Sequence, residues 1–334
     1  MKPFNAGPSH TSRDLIGYGS SPPSFTWPNG ARLAISFVLN YEEGAENTLL
    51  NGDEAAEGFL TENGLGASVG GPLKERELSR ESTYAYGSRV GFWRILGLFK
   101  KHGLTFTSWA VGKAVELNPA VVEAMEGAGC EVASHAYRWI NYASLSPSTE
   151  QQHIRQAYEA IQKASPSSTP PLGWYTGRVS MHTRRLVYEH YKSQGLLEKY
   201  YDSDAYDDDL PYYLSPPVEN PKEGEDKPVL IVPYTLEVND MKFAIAPGFS
   251  SGVDFGAYLQ ATLDTLLAEA EEEGKSAMMT VGLHCRISGR PGRFGAVKDM
   301  VERVEKLHKE GKVWCANRGE IAAFWREKFP PQGL

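Results

Sequence analysis

The chain has 334 residues, of which 41% are hydrophobic and 23% charged, the balance of a globular protein able to bury a large core. Its formal net charge of -8, with no Lys/Arg block of any length, argues against nucleic acid or another polyanion as a partner. No apolar run approaches a membrane span, and Met1 to Leu15 lacks the apolar centre of a secretory signal, so the expected location is the cytoplasm and the expected state of Cys130, Cys285 and Cys315 is reduced and mostly buried.

Residues 1–30 are rich in Gly, Pro and Ser and predict an extended arm that wraps over the body or onto a neighbouring copy, attached through Ile16, Tyr18, Phe25 and Trp27. Arg32 to Leu39 is a dense apolar run, which predicts a buried strand, and it leads into Asn40-Tyr41-Glu42-Glu43-Gly44. Around 46–81 the chain is Gly-rich, acidic and weakly periodic, the pattern of a long insertion that shapes a site. Helical spacing follows over Arg89 to His102, then a strand over Leu104 to Ala110 and a helix over Pro119 to Ala128. Glu131 to Ser134 reads as a short strand with His135 at its end. Helices over Thr149 to Ala164 and Thr183 to Tyr191 flank a Ser/Pro loop and a strand at Leu172 to Tyr175. After a Tyr- and Asp-rich segment, Tyr200 to Tyr213, and a charged loop, Pro216 to Pro228, come a strand at Val229 to Val232 and a helix over Phe255 to Glu273. Ser276 to Leu283 is a buried strand ending at His284; a helix over Ala296 to Glu310, a strand at Val313 to Ala316 and a helix over Arg318 to Phe329 close the chain. Strands alternating with helices predict a parallel sheet with helices outside, in a single domain over 31–334. The alternation fits both a barrel and an open doubly wound sheet.

In parallel α/β folds the reacting groups gather at the C-terminal ends of strands. Four such ends carry unusual residues. Glu42 and Glu43 follow the first strand, where apolar walls and like charge raise a carboxyl pKa and suit it to general-base work; a solvated loop pair is the plainer reading. His135 is followed by Arg138 and Trp139, residue types that fix planar polar ligands, although a lone His after a strand is often a satisfied core residue. Gly173 to Arg178 places Tyr175 and Arg178 after a Gly-containing turn, where Arg178 is equally well a surface residue. His284, followed by Cys285 and Arg286, suits a general acid for a leaving nitrogen; a buried structural His is the alternative. Asn239-Asp240 adds a carboxylate that could line the site. The aspartates from Asp202 to Asp209 lack the Gly and distal Glu of a calcium loop and read better as turn caps.

In this order the positions Glu42-Glu43, His135 with Trp139, Arg178, Asn239-Asp240 and Leu283-His284 resemble the polysaccharide deacetylase (NodB-homology) superfamily. That superfamily carries paired Asp and a His-x-x-x-His metal motif; here the pair is Glu42-Glu43 and Trp139 stands where the second His is expected. The departures match one branch. RDLIGYGS, FVLNYEEG, SHAYRW, GWYTGR, YDSDAYDDDLPY, PYTLEVNDMKF and GLHCRISGRPGR are similar to the metal-independent (PuuE-type) allantoinases. The resemblance implies a distorted (β/α) barrel, a homotetramer, no metal or other cofactor, and opening of the small cyclic ureide (S)-allantoin to allantoate in purine-nitrogen recovery. A mechanism that fits these residues takes Glu42 or Glu43 as base, His284 as acid, backbone N–H groups, Arg138 or Arg178 and the Trp139 indole N–H as donors to the oxyanion, and His135, Trp139 and Arg286 as the grip on the ring or ureido group. Tyr175 and Asp240 complete the candidate lining. An N-acetyl-sugar deacetylase, another cyclic imidase and a metal-less ligand-binding barrel are the competing readings.

Overall fold

Nine consecutive residues, Leu33–Tyr41, form β1, and all nine are buried. Side chains alternate across a strand, so β1 feeds two different cores. Leu33, Ile35, Phe37, Leu39 and Tyr41 pack with Phe92, Ile95 and Phe99 in the layer between sheet and helices. Ala34 and Val38 face the other way, into an interior filled by Trp109, Tyr175, Tyr201 and Tyr234. This parity decides which polar residue of β1 enters the site.

The structure is a computed structural model and describes residues 13–61 and 74–331. The later strands are β2 (Thr107–Ala110), β3 (Glu131–Ser134), β4 (Gly173–Trp174), β5 (Tyr201–Asp202), β6 (Tyr212–Leu214), β7 (Val229–Ile231), β8 (Val238–Asn239), β9 (Ala277–His284) and β10 (Val313–Cys315). The helices are α1 (Leu78–Tyr86), α2 (Phe92–His102), α3 (Gly112–Leu117), α4 (Ala120–Glu126), α5 (Pro147–Ala164), α6 (Thr183–Ser193), α7 (Gly252–Glu272), α8 (Cys285–Ser288), α9 (Pro291–Lys309) and α10 (Arg318–Lys328). Between α1 and α2 the turn Gly87–Gly91 is π-helical.

The strands form one curled sheet in the order β6-β7-β5-β4-β3-β2-β1-β9-β8, with β10 also on β1. Among the described residues only the β6–β7 pair is antiparallel. One side of β1 serves two partners in succession: Leu33 to Ile35 pair with β10, and Val38 to Tyr41 pair with β2. On the other side β9 runs alongside in register from Leu33 to Asn40, which sets Asn40 opposite His284. The sheet is therefore the barrel-like alternative, distorted and incompletely paired round its circumference.

Phe25 and Trp27 of the arm are buried against Phe324, Trp325 and Phe329, and the Trp27 indole donates to the Ala277 carbonyl at 2.9 Å. Tyr18 is tied down as expected, donating to the Pro211 carbonyl at 2.6 Å. Ile16, also expected to pack, is 82% exposed. The first twelve residues of the predicted arm, and 62–73 of the predicted insertion, lie outside the described residues. Within that insertion the structure places a helix the sequence reading lacks: α1 begins at Leu78, and its buried residues, Arg80 and Tyr84, are both polar, so no apolar stripe announces it. Strands β5 and β8 are two residues long, too short for a period to show. All three cysteines are free, with Cys130 and Cys285 buried. Among the described residues no helix is long and apolar enough to cross a membrane.

Candidate active site

Three strand ends converge. Glu42 follows β1, His135 follows β3 and His284 closes β9, and each is at most 4% exposed. Glu42 Oε1 lies 3.4 Å from His135 Nε2 and 3.4 Å from His284 Nε2. At that distance neither imidazole makes a short hydrogen bond, so this oxygen is held between two ring nitrogens without being consumed by either. The other oxygen, Oε2, accepts from Arg286 Nη1 at 2.7 Å. His135 Nδ1 is 3.1 Å from the Tyr175 carbonyl, which can only accept, so the proton sits on Nδ1. His284 Nδ1 is 2.6 Å from Asp240 Oδ1, and Asp240 Oδ2 accepts the backbone N–H of His284 and of Ser288 at 2.8 and 3.2 Å. Asp240, read from sequence as a lining residue, is completely buried behind His284 and fixes its ring and backbone.

Glu43 takes the opposite face. Its side chain lies against Gly87, where an added Cβ would come within 2.2 Å of Oε1, and its Oε2 accepts the backbone N–H of Glu42 at 3.0 Å. Of the two adjacent carboxylates, Glu42 meets the histidines and Glu43 supports the backbone of Glu42.

Burial alone would raise the Glu42 pKa, but the charges of His284 and Arg286 outweigh it and hold the carboxyl well below its usual range, so the raised value expected of the pair from sequence falls on Glu43 and not on Glu42. Glu43 is pushed up to about 7 by burial, with Arg286 opposing and the Glu42 charge reinforcing the rise. For His284 burial favours the neutral ring, yet Glu42 and Asp240 overcome it and raise the pKa to about 9. At neutral pH the pair is thus an ionised Glu42 facing a protonated His284. Asp240→Asn removes one of the two charges that favour the imidazolium and leaves the burial in place. The His284 titration, followed by imidazole NMR, should then move down by about one to three pH units. A midpoint that stays near 9 would mean that Asp240 does not set the charge of His284.

The outer wall is aromatic and cationic. Arg178 Cζ lies 4.1 Å from the Trp139 ring and Arg286 Cζ 5.0 Å from it, while Phe59 stacks near the same indole at 6.3 Å. Arg286 also sits 4.4 Å over the Tyr84 ring, and its Nε and Nη2 have no partner. Arg178 donates to the Trp139 carbonyl at 2.6 Å and pairs with Glu57 at 3.3 Å. Arg138, expected at the substrate, is instead turned onto the start of the insertion: it donates to the carbonyls of Ala45 and Glu46 and to Asp53. Tyr175 contributes its carbonyl to His135 and packs its ring 4.9 Å from the imidazole. The site gains Glu46 and Glu57 from the insertion and Arg80 and Tyr84 from α1, none of which falls in an apolar period.

The Asp202–Asp209 segment behaves as a set of turn caps where it meets the site. Asp204 accepts the backbone N–H of Thr176 and Gly177 at 2.8 and 2.7 Å, and so shapes the turn that carries Arg178. Among the described residues no group of three or more His, Cys, Asp and Glu is arranged to hold a metal ion. At the centre of the site two imidazoles and one carboxylate approach each other, but His284, held by Asp240 and Glu42, favours the imidazolium, which carries no lone pair for a metal. Arg286 already neutralises Glu42, and a divalent cation would have to displace that guanidinium. The donor set does not fit a zinc centre.

A family model described as polysaccharide deacetylase matches residues 79–191. A putative polysaccharide deacetylase of Schizosaccharomyces pombe is 52% identical over 323 residues, spanning 96% of this chain and 99% of that protein. The crystal structure of a PuuE allantoinase superposes with a TM-score of 0.84 at 45% identity, covering 96% of this chain and 99% of that one. A probable polysaccharide deacetylase from Pseudomonas aeruginosa PAO1 superposes equally well, TM-score 0.84 at 43% identity with the same coverage.

Proposed function

The chain belongs to the polysaccharide deacetylase family, and from that premise we propose that it is a metal-independent hydrolase of cyclic ureides that opens (S)-allantoin to allantoate. The observation that carries this reading is Glu42, ionised between two imidazoles and one guanidinium, in a site walled by Trp139 and the two arginines that pack on its ring.

Water beside Glu42 Oε1 gives up a proton to that oxygen as its own oxygen attacks a ring carbonyl carbon. Negative charge then develops on the carbonyl oxygen. Arg286 is the donor best placed to meet it, since Nη1 is fixed on Glu42 while Nε and Nη2 are free; Arg138 and Arg178 are already bonded elsewhere. Collapse of the tetrahedral intermediate breaks the carbon–nitrogen bond, and His284 Nε2–H protonates the departing nitrogen. The proton on Glu42 returns to His284 across the 3.4 Å gap, and the new carboxylic acid loses its proton to solvent. We include in the proposal the homotetramer and the cytoplasmic location that accompany the resemblance.

The competing reading is an N-acetyl-sugar deacetylase; the Schizosaccharomyces pombe relative is named a putative polysaccharide deacetylase. Ring opening of racemic allantoin, assayed before and after exhaustive EDTA treatment, separates the two. The expected result is consumption of one enantiomer at a rate unchanged by the chelator. Activity lost to EDTA and restored by Zn²⁺ would overturn the metal-independent chemistry. Turnover of N-acetylated chito-oligosaccharides with none of allantoin would favour the deacetylase.

A further inference from the structure

Three polar groups beside the site have no role in the chemistry just described. Tyr84 is 1% exposed and its hydroxyl has no partner. Arg80 is 3% exposed; Nη1 donates to the Glu57 carbonyl, but Nη2 has no partner. Glu46 is 5% exposed and commits one carboxylate oxygen to the backbone N–H of Gly44 at 2.7 Å. All three line the same small cavity, together with Glu57 and Thr48. Buried donors without acceptors are costly and rare, so a place that gathers two of them beside a carboxyl is built for something that supplies the missing partners.

We propose that Tyr84, Arg80 and Glu46 form a subsite for an uncyclised carbamoyl arm of the substrate, the feature that distinguishes a ring bearing a urea substituent from the bare ring. The subsite rests on the cyclic-ureide reading and specifies which cyclic ureides fit. A terminal urea presents one carbonyl acceptor and an NH₂ donor. The Tyr84 hydroxyl and Arg80 Nη2 match the carbonyl, and the Glu46 carboxyl matches the NH₂. A carboxylate arm would match less well, because it would meet the Glu46 carboxyl in the same cavity. The location also fits. Arg286, which meets the attacked carbonyl, lies over the Tyr84 ring at 4.4 Å, and in allantoin the urea arm is borne by the carbon next to that carbonyl. The cavity measures about 10 Å³, room for one water molecule, so the terminal group of the arm enters in place of that water as the lining side chains give way.

The test compares kcat/KM for allantoin with kcat/KM for unsubstituted hydantoin in the wild type and in Tyr84→Phe. The expected result is a fall of at least about ten-fold in the allantoin-to-hydantoin ratio, chiefly through KM for allantoin. A Tyr84 that only braces Arg286 would lower both substrates alike; an unchanged ratio overturns the subsite and leaves a water-filled cavity. Binding by Glu42→Gln keeps this outcome apart from failure of the ring-opening reading. If the wild type turns over neither compound, tighter binding of allantoin than of hydantoin, abolished by adding Tyr84→Phe, supports the subsite alone. Equal binding of the two overturns it.

Discussion

Glu42→Gln should retain the fold and lose turnover by about 10²–10⁴-fold, with a much smaller change in KM. Glutamine has the same shape and its carbonyl oxygen can still accept from Arg286 Nη1, so the 2.7 Å contact has a surviving partner. Two things are lost. The side chain can no longer take a proton from water, and the negative charge that holds His284 protonated is gone. Burial then weighs more heavily on His284, its pKa falls from about 9, and the alkaline limb of the remaining activity moves toward neutrality. Glu43→Gln is the built-in contrast. Glu43 faces Gly87 and supports the Glu42 backbone through one hydrogen bond, so its amide should cost far less. Stopped assays of kcat and KM from pH 6 to 10 on the two variants decide the matter. Equal losses, or near-normal turnover by Glu42→Gln, would remove Glu42 from the base role.

Gly91→Ala should be nearly as damaging, although the residue touches no reacting group. An added Cβ would lie 2.0 Å from the Cys285 carbonyl oxygen, and Gly289 on the facing turn is just as crowded against Gly91. Both neighbours are backbone, so neither can swing aside as a side chain would. The strain falls on α8, the short turn that carries Arg286 and begins immediately after His284. A displacement there of about 1 Å separates the acid and the guanidinium from Glu42, and a misplacement of that size can cost about 10²-fold in rate. Overpacking of this kind also destabilises by about 1–3 kcal/mol. Thermal denaturation together with kcat/KM should therefore show both effects in one soluble variant. Wild-type values for each would mean that the π-helical turn and α8 are more loosely packed than described.

Much of the site was legible because strand ends are where parallel folds keep their chemistry, and the apolar runs before Glu42 and His284 mark two of those ends openly. The choice between Glu42 and Glu43 was not legible. Both faces of β1 are buried, so RLAISFVL shows no alternation, and only the interior of the curled sheet tells which parity looks inward. Asp240 could be placed near the site from its position after a strand, but its use as the anchor of His284 depends on β8 lying beside β9, a pairing two residues long. Arg138 was close in sequence to the right place, yet its direction is set by the path of the insertion, which no local pattern encodes. Tyr84 and Arg80 escaped because α1 turns polar side chains inward, and helical periodicity is recognised by apolar ones.

The pairing of β1 also bears on how the protein is made. Its two longest-range partners, β9 and β10, are among the last segments to leave the ribosome, and the Trp27 indole waits for the Ala277 carbonyl at the start of β9. Until then one whole edge of β1, a nine-residue strand buried throughout in the finished fold, has nothing to pair with. A nascent chain in that condition is a template for association with its neighbours, so the yield of this protein in a cell depends on how well that edge is shielded during synthesis.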